Sequence, residues 1–219
     1  MLVNVGSRIH YRALATGVFH CERCGGDRPY RHRTGRRWAH LLALPVFPLE
    51  RTGEHLRCIV CRTCYRVELL AVPTVEQMRD SLLAATTAAS LAMLSAGGAA
   101  SNAARRLAIE LIMNAGSPRY GEPELVLALG CGGPVPPEDA LVACGPVPGL
   151  RAAIEIVAIQ LDSHAKEWFL GRVVRVGLAD GPLSDAEREV VGTVARHLGL
   201  SESQAHDVIL LTEEAAQAG

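Results

Sequence analysis

Lysine is nearly missing from this 219-residue chain: 21 of its 22 basic residues are arginine. With Ala, Gly and Pro abundant, this bias is the mark of a GC-rich genome, so the arginine count alone does not argue for nucleic acid. No secretory leader is expected either. The N-terminus MLVNVGSRIHYRALATG has no apolar run behind a basic start, which argues against secretion and makes a cytoplasmic protein the expectation. In that reducing compartment seven cysteines point to metal or free thiols rather than disulfides. Charge is absent from residues 81–104, a run of 24 that is long enough to span a bilayer. It is made largely of Ala, Ser, Thr and Gly and is interrupted by Gly97-Gly98, so it reads as a buried helix, with no membrane insertion.

Catalytic signatures are also lacking. Gly130-Cys131-Gly132-Gly133 has the glycines of a phosphate loop without the Lys-Ser/Thr or a preceding strand. Nothing near Cys131 or Cys144 in sequence activates a thiol. His164 and His197 lack ligand-type partners four residues away and His206 has only Glu202, and no Ser/His/Asp set assembles. The expectation is a protein that is not an enzyme.

What is present suffices for a folded chain, since 49% hydrophobic composition can build a packed core. The net charge of −1 hides an asymmetry. Residues 1–72 carry 12 Arg against 5 acids, a net of +7, while residues 73–219 carry 10 basic residues against 18 acids, a net of −8. Two domains are expected, 1–72 and 73–219.

Five of the seven cysteines fall in the first of these, at two loci. Cys21 and Cys24 form a C-x-x-C followed by Gly25-Gly26, where the backbone can fold tightly past a metal. The stretch HLRCIVCRTCYRVE holds Cys58, Cys61 and Cys64, two overlapping pairs. Two separated C-x-x-C pairs supply four thiolates for one structural zinc ion, a closed site with no catalytic position. Such a site contributes on the order of 10 kcal/mol to a module poor in large apolar residues. Arg62-Thr63 suits a Cys61/Cys64 knuckle better than the apolar Ile59-Val60 suits Cys58/Cys61, yet no turn residues then precede an alternating strand at Tyr65, Val67 and Leu69. Ligation by His20, His32, His40 or His55 is a weaker alternative to exposed strand histidines.

Between the pairs, a basic-aromatic strand, an apolar strand ending Pro45-Val46-Phe47-Pro48, and Gly53-Glu54 complete a pattern over residues 17–73. It resembles the zinc-ribbon family, which implies a small antiparallel sheet with two knuckles. In that family the second pair follows the Gly-Glu closely and an aromatic residue stands four positions after its last cysteine. The resemblance therefore implies Cys58 and Cys61, with Cys64 as the alternative ligand. Arg28, Arg31, Arg33, Arg36 and Arg37 with Tyr30 and Trp38 form a basic-aromatic cluster. Arg36, Arg37 and Trp38 are its candidate nucleic-acid contacts.

In the second half, Thr74 to Gln77, Ser184 to Glu187 and Ser201 to Gln204 are capping boxes that mark helix starts. Helical patterns run over 74–96, 102–115, 149–162, 164–179, 185–198 and 202–216, with one or two short helices within the Pro- and Gly-rich 116–148 and no strand. The expected fold class is mainly α, an all-helical bundle preceded by the small sheet, with Trp168-Phe169 in the core. Residues 173–209 run apolar helix, Ala-Asp-Gly, Leu-Ser, Glu, apolar helix, Leu-Gly-Leu-Ser, helix. This order resembles the TerB-like family, named for tellurite resistance and shared with a co-chaperone's N-terminal domain. The resemblance implies an acidic helical bundle in stress-related protein assemblies, with Asp180 and Glu187 as a possible second metal or interaction site. The bland account is that Gly181 ends one helix while Ser184 and Glu187 cap the next. The expected partner is a protein, with nucleic acid as the alternative.

Overall fold

The computed structural model describes residues 5–41, 44–131 and 149–218. The chain divides into two compact units, Met1–Gln77 and Met78–Gly219, strands first and helices after.

The first unit is an antiparallel sheet ordered β1-β2-β3-β4, with β1 Val5–Cys21, β2 Gly26–Leu41, β3 Leu44–Cys58 and β4 Cys64–Tyr65. The first three strands have 17, 16 and 15 residues, close to three times the usual length and about 50 Å each at ~3.3 Å per residue. The sheet is thus far longer than the small one expected, and β1 starts ahead of residues 17–73. The strand expected through Tyr65, Val67 and Leu69 is cut short. β4 pairs only with Leu56 and Arg57 of β3, β3 loses register between His55 and Thr52, and a 3-10 turn Val67–Ala71 follows.

Register fixes the two faces. Residue Leu14 is an extra residue in β1, and every irregularity against β3 places the extra residue in β3, so β2 alternates without interruption. One face carries Tyr30, Arg36 and Trp38 of β2, the other Arg31, Arg33, Gly35 and Arg37. The buried cluster of this unit, Phe19, Cys21, Tyr30, Leu56 and Cys58, lies on the first face at the β1–β2 turn. Gly17 and Gly35 are roofed by the tyrosines paired with them in register, Tyr30 and Tyr11, a device that shields a strand glycine. Three large apolar side chains at roughly 1.5–3 kcal/mol each fall well short of ~1–2 kcal/mol per residue of backbone ordering. Something besides this small core holds the unit.

Seven α-helices stand among the described residues: α1 Val75–Ala96, α2 Asn102–Ala115, α3 Glu122–Cys131, α4 Leu150–Ala158, α5 Ser163–Leu178, α6 Asp185–Leu198 and α7 Glu202–Gln217. The described residues of this half hold no strand. All three capping boxes close, with Thr74 and Gln77 exchanging bonds of 3.2 and 2.9 Å and the Ser184–Glu187 and Ser201–Gln204 pairs reciprocal. The first turn of α1 belongs to the sheet unit because Asp27 of β2 accepts from the amides of Val75 and Glu76 at 3.1 and 3.3 Å. The two compact units divide between Gln77 and Met78, within α1. Helix α5 packs against α2, α6 and α7, and α4 against α6, around Leu94, Ile154, Leu170, Val174 and Leu198. Phe169 is buried, but Trp168 is half exposed with Arg172 stacked 4.5 Å from its ring. Successive helical positions diverge by about 100°, so one of the pair takes the outer side. Residues 132–148, where a second short helix was expected and where Cys144 lies, and the side chain of Cys131 are outside the described residues. None of the described helices is long and apolar enough to cross a membrane.

Candidate metal centre

Two knuckles bring four sulfurs together. The first is the 3-10 turn Glu22–Cys24 closing on Gly25, which takes the left-handed conformation at φ 64° and donates its amide to the Glu22 carbonyl. The second runs from Cys58 to Cys61 and closes on Arg62, at φ 61° the one described non-glycine residue with positive φ. The Arg62 amide donates to the Cys58 carbonyl and the Cys58 amide to that of Thr63. Each turn thus ends on a left-handed residue directly after its second cysteine, but the closing amide reaches back three residues in the first and four in the second, and only the first has a glycine there.

The Sγ atoms of Cys21, Cys24, Cys58 and Cys61 all lie within 4.8 Å of one another, with Cys21 and Cys61 at 3.7 Å. This group can hold one metal ion. Cys64 is not in it. Its strand partner is Arg57, whereas Tyr65 pairs with the buried Leu56, so alternation turns Cys64 outward and exposed while the Tyr65 hydroxyl reaches 3.2 Å from Cys21 Sγ. The histidines are engaged elsewhere: His20 Nδ1 lies 3.5 Å from Asp27, His32 Nε2 2.9 Å from Glu54, and the buried His40 stacks on His10.

The cluster polarises its own thiols. Hydrogen bonds from the Thr63 hydroxyl and amide bring Cys61 down to about 6. Burial pushes the Cys21 thiol up, but bonds from Tyr65 and Cys24 outweigh it and leave the group below its ordinary value. Burial, followed by the bonds that its proton makes to Cys21, Cys61 and Cys58, drives Cys24 to about 12. The bond to Cys21, then burial, raises Tyr65 to about 12, which keeps the phenol protonated as a donor to sulfur. Such a donor beside a ligand steadies a metal site. Tyr65 had a place in the sequence pattern, whereas Thr63 and the backbone of Arg62 carried no sign of these roles.

The remaining candidates are dispersed. Arg36 and Trp38 share the metal face, the guanidinium 5.9 Å from the indole centre, but Arg37 lies on the other. Glu187 is buried, and its carboxylate accepts from the Ser184 amide and hydroxyl, both at 2.8 Å, at the positive end of α6. It packs where a Cβ on Gly97 would come within 2.9 Å. Asp180 is exposed beside Gly181 at φ 144°. Among the described residues no other group of three or more Cys, His, Asp or Glu side chains gathers as the four cysteines do. No family model, curated protein or solved structure matches the chain.

Proposed function

We propose that the four cysteines hold one structural zinc ion and that the protein is a non-enzymatic, cytoplasmic interaction module of the zinc-ribbon type. The observation that carries this reading is the cluster itself. Bonds of ~2.3 Å in a tetrahedral zinc site put sulfurs about 3.8 Å apart, and Cys21 and Cys61 stand at 3.7 Å. Four thiolates leave no position for substrate or water, so the ion would act on folding alone. For the helical unit the reading is a TerB-like, stress-associated scaffold that engages a protein, on the strength of residues 173–209. Elemental analysis of protein purified without added metal tests the centre. One zinc per chain is expected in the parent and in Cys64→Ser, and none in Cys58→Ser; a parent free of zinc would sink the reading.

A second reading is supported by the Arg36–Trp38 stack, the kind of basic-aromatic pair on which a nucleobase rests. In it the sheet unit binds nucleic acid. It requires that oligonucleotide affinity fall steeply with salt.

A further inference from the structure

The face of the sheet turned away from the buried cluster holds a second concentration of chemistry. Arg31 and Arg33 of β2, Arg57 of β3 and Arg62 of the second knuckle line a shallow cavity of about 280 Å³, beside Cys58 and Ile59. Arg31 stands directly across from Arg57, an arrangement of like charges that destabilises a sheet unless something neutralises it. Among the described residues, none of the four has a carboxylate partner. The backbone adds to the cost. Arg62 occupies a left-handed conformation that glycine would take freely and other residues pay for, and strain of this kind collects at binding sites. Two independent penalties, repulsion and strain, thus converge on one cavity wall.

We propose that this cavity binds phosphates of single-stranded nucleic acid. Guanidinium forks match phosphate geometry and bind it in pairs. The cavity is open rather than enclosing, and its basic line continues along the same face of β2 to Arg37, in steps of about 6.6 Å for every second residue. The same face presents Tyr11 and Phe47, 53% and 67% exposed, Tyr11 opposite Gly35 between Arg33 and Arg37, and Phe47 opposite Ala39 just past Arg37. A positive track interleaved with exposed rings is what a flexible strand with stacking bases requires. An acidic peptide would use the charges and leave the rings idle. The inference deepens the second reading above and rests on it, adding a phosphate track on the face opposite Arg36 and Trp38.

The test uses the zinc-loaded full chain and fluorescently labelled oligo-dT, followed by anisotropy as salt is raised. Four phosphate contacts predict a slope of log affinity on log salt of about −2.8, at −0.7 per contact. Arg31→Ala/Arg57→Ala should weaken binding at least tenfold and make the slope shallower by about 1.4, with zinc content and circular dichroism unchanged. Phe47→Ala should weaken it about 5- to 150-fold, the equivalent of one lost stacking contact, at constant slope. Binding lost in Arg36→Ala/Trp38→Ala and kept at parental strength in Arg31→Ala/Arg57→Ala would overturn the inference while sparing the nucleic-acid reading. No binding by the parent at low salt would overturn both. Displacement by poly-glutamate as effective as by unlabelled oligo-dT would also overturn it, in favour of an acidic protein ligand.

Discussion

At the scale of single residues, Arg62 is the position where the backbone asks for one amino acid and the sequence supplies another. A left-handed arginine costs about 1–2 kcal/mol, and glycine there loses roughly 0.5–1 kcal/mol through its freer unfolded chain. Arg62→Gly should therefore raise the urea midpoint of the zinc-loaded protein by up to about 1 kcal/mol equivalent while weakening oligonucleotide binding. A lowered midpoint would mean that the left-handed backbone at Arg62 stores no strain. The first knuckle was legible because Gly25 announces its turn. The second was not, because a positive φ on arginine leaves no mark in the sequence and overlapping C-x-x-C pairs look alike. What separates them is pairing: Arg57 opposite Cys64 and Leu56 opposite Tyr65 turn one thiol out and one ring in, and pairing is a property of two segments together.

At the scale of elements, the helices were readable and the length of the strands was not, for a single physical reason. A capping box is closed within four residues, so Thr74, Ser184 and Ser201 reveal helix starts without tertiary information. A strand declares itself by alternation only when one face is buried. Over residues 6–16 both faces of β1 are largely open to solvent, with Tyr11 and Leu14 about half exposed, and no period survives. Gly35 shows what the strands do contain. A Cβ there would overlap Thr52 Oγ1 and come within 2.9 Å of Ile9 and 3.1 Å of Tyr11, so Gly35→Val should cost about 1–3 kcal/mol by overpacking. Hydrogen exchange should show the amides of the far ends of β1 and β2 opening while the parent zinc content is retained. Gly53, with open space around its Cα, should accept valine with little change, and an equal loss there would refute the packing argument.

At the scale of the whole molecule, the metal and the charge asymmetry assign different sources of stability to the two units. The helical unit has a continuous apolar core; the sheet unit has three large buried apolar side chains beside four cysteines. Chelation should therefore abolish the protection of the sheet amides and leave most of the helical dichroism at 222 nm, and simultaneous loss of both would refute this. Binding should also release protons in a pH-dependent number. With the sheet unfolded in the metal-free chain, thiols titrate near the free value of ~8.5, so zinc must displace thiol protons at neutral pH. The count should fall, and affinity rise, as pH climbs through that value. Calorimetric titration with zinc in buffers of different ionisation enthalpy reads that count directly. Finally, three strands of some 50 Å that lie side by side have two long rims, and an uncovered rim invites another strand to add on. In β3, Pro45 and Pro48 remove amide donors and the extra residues spoil the repeat. In β1, the exposed Arg8 and Arg12 set like charge against like. Lateral growth into fibrils is thereby blocked, and whatever meets this sheet must lie across its faces.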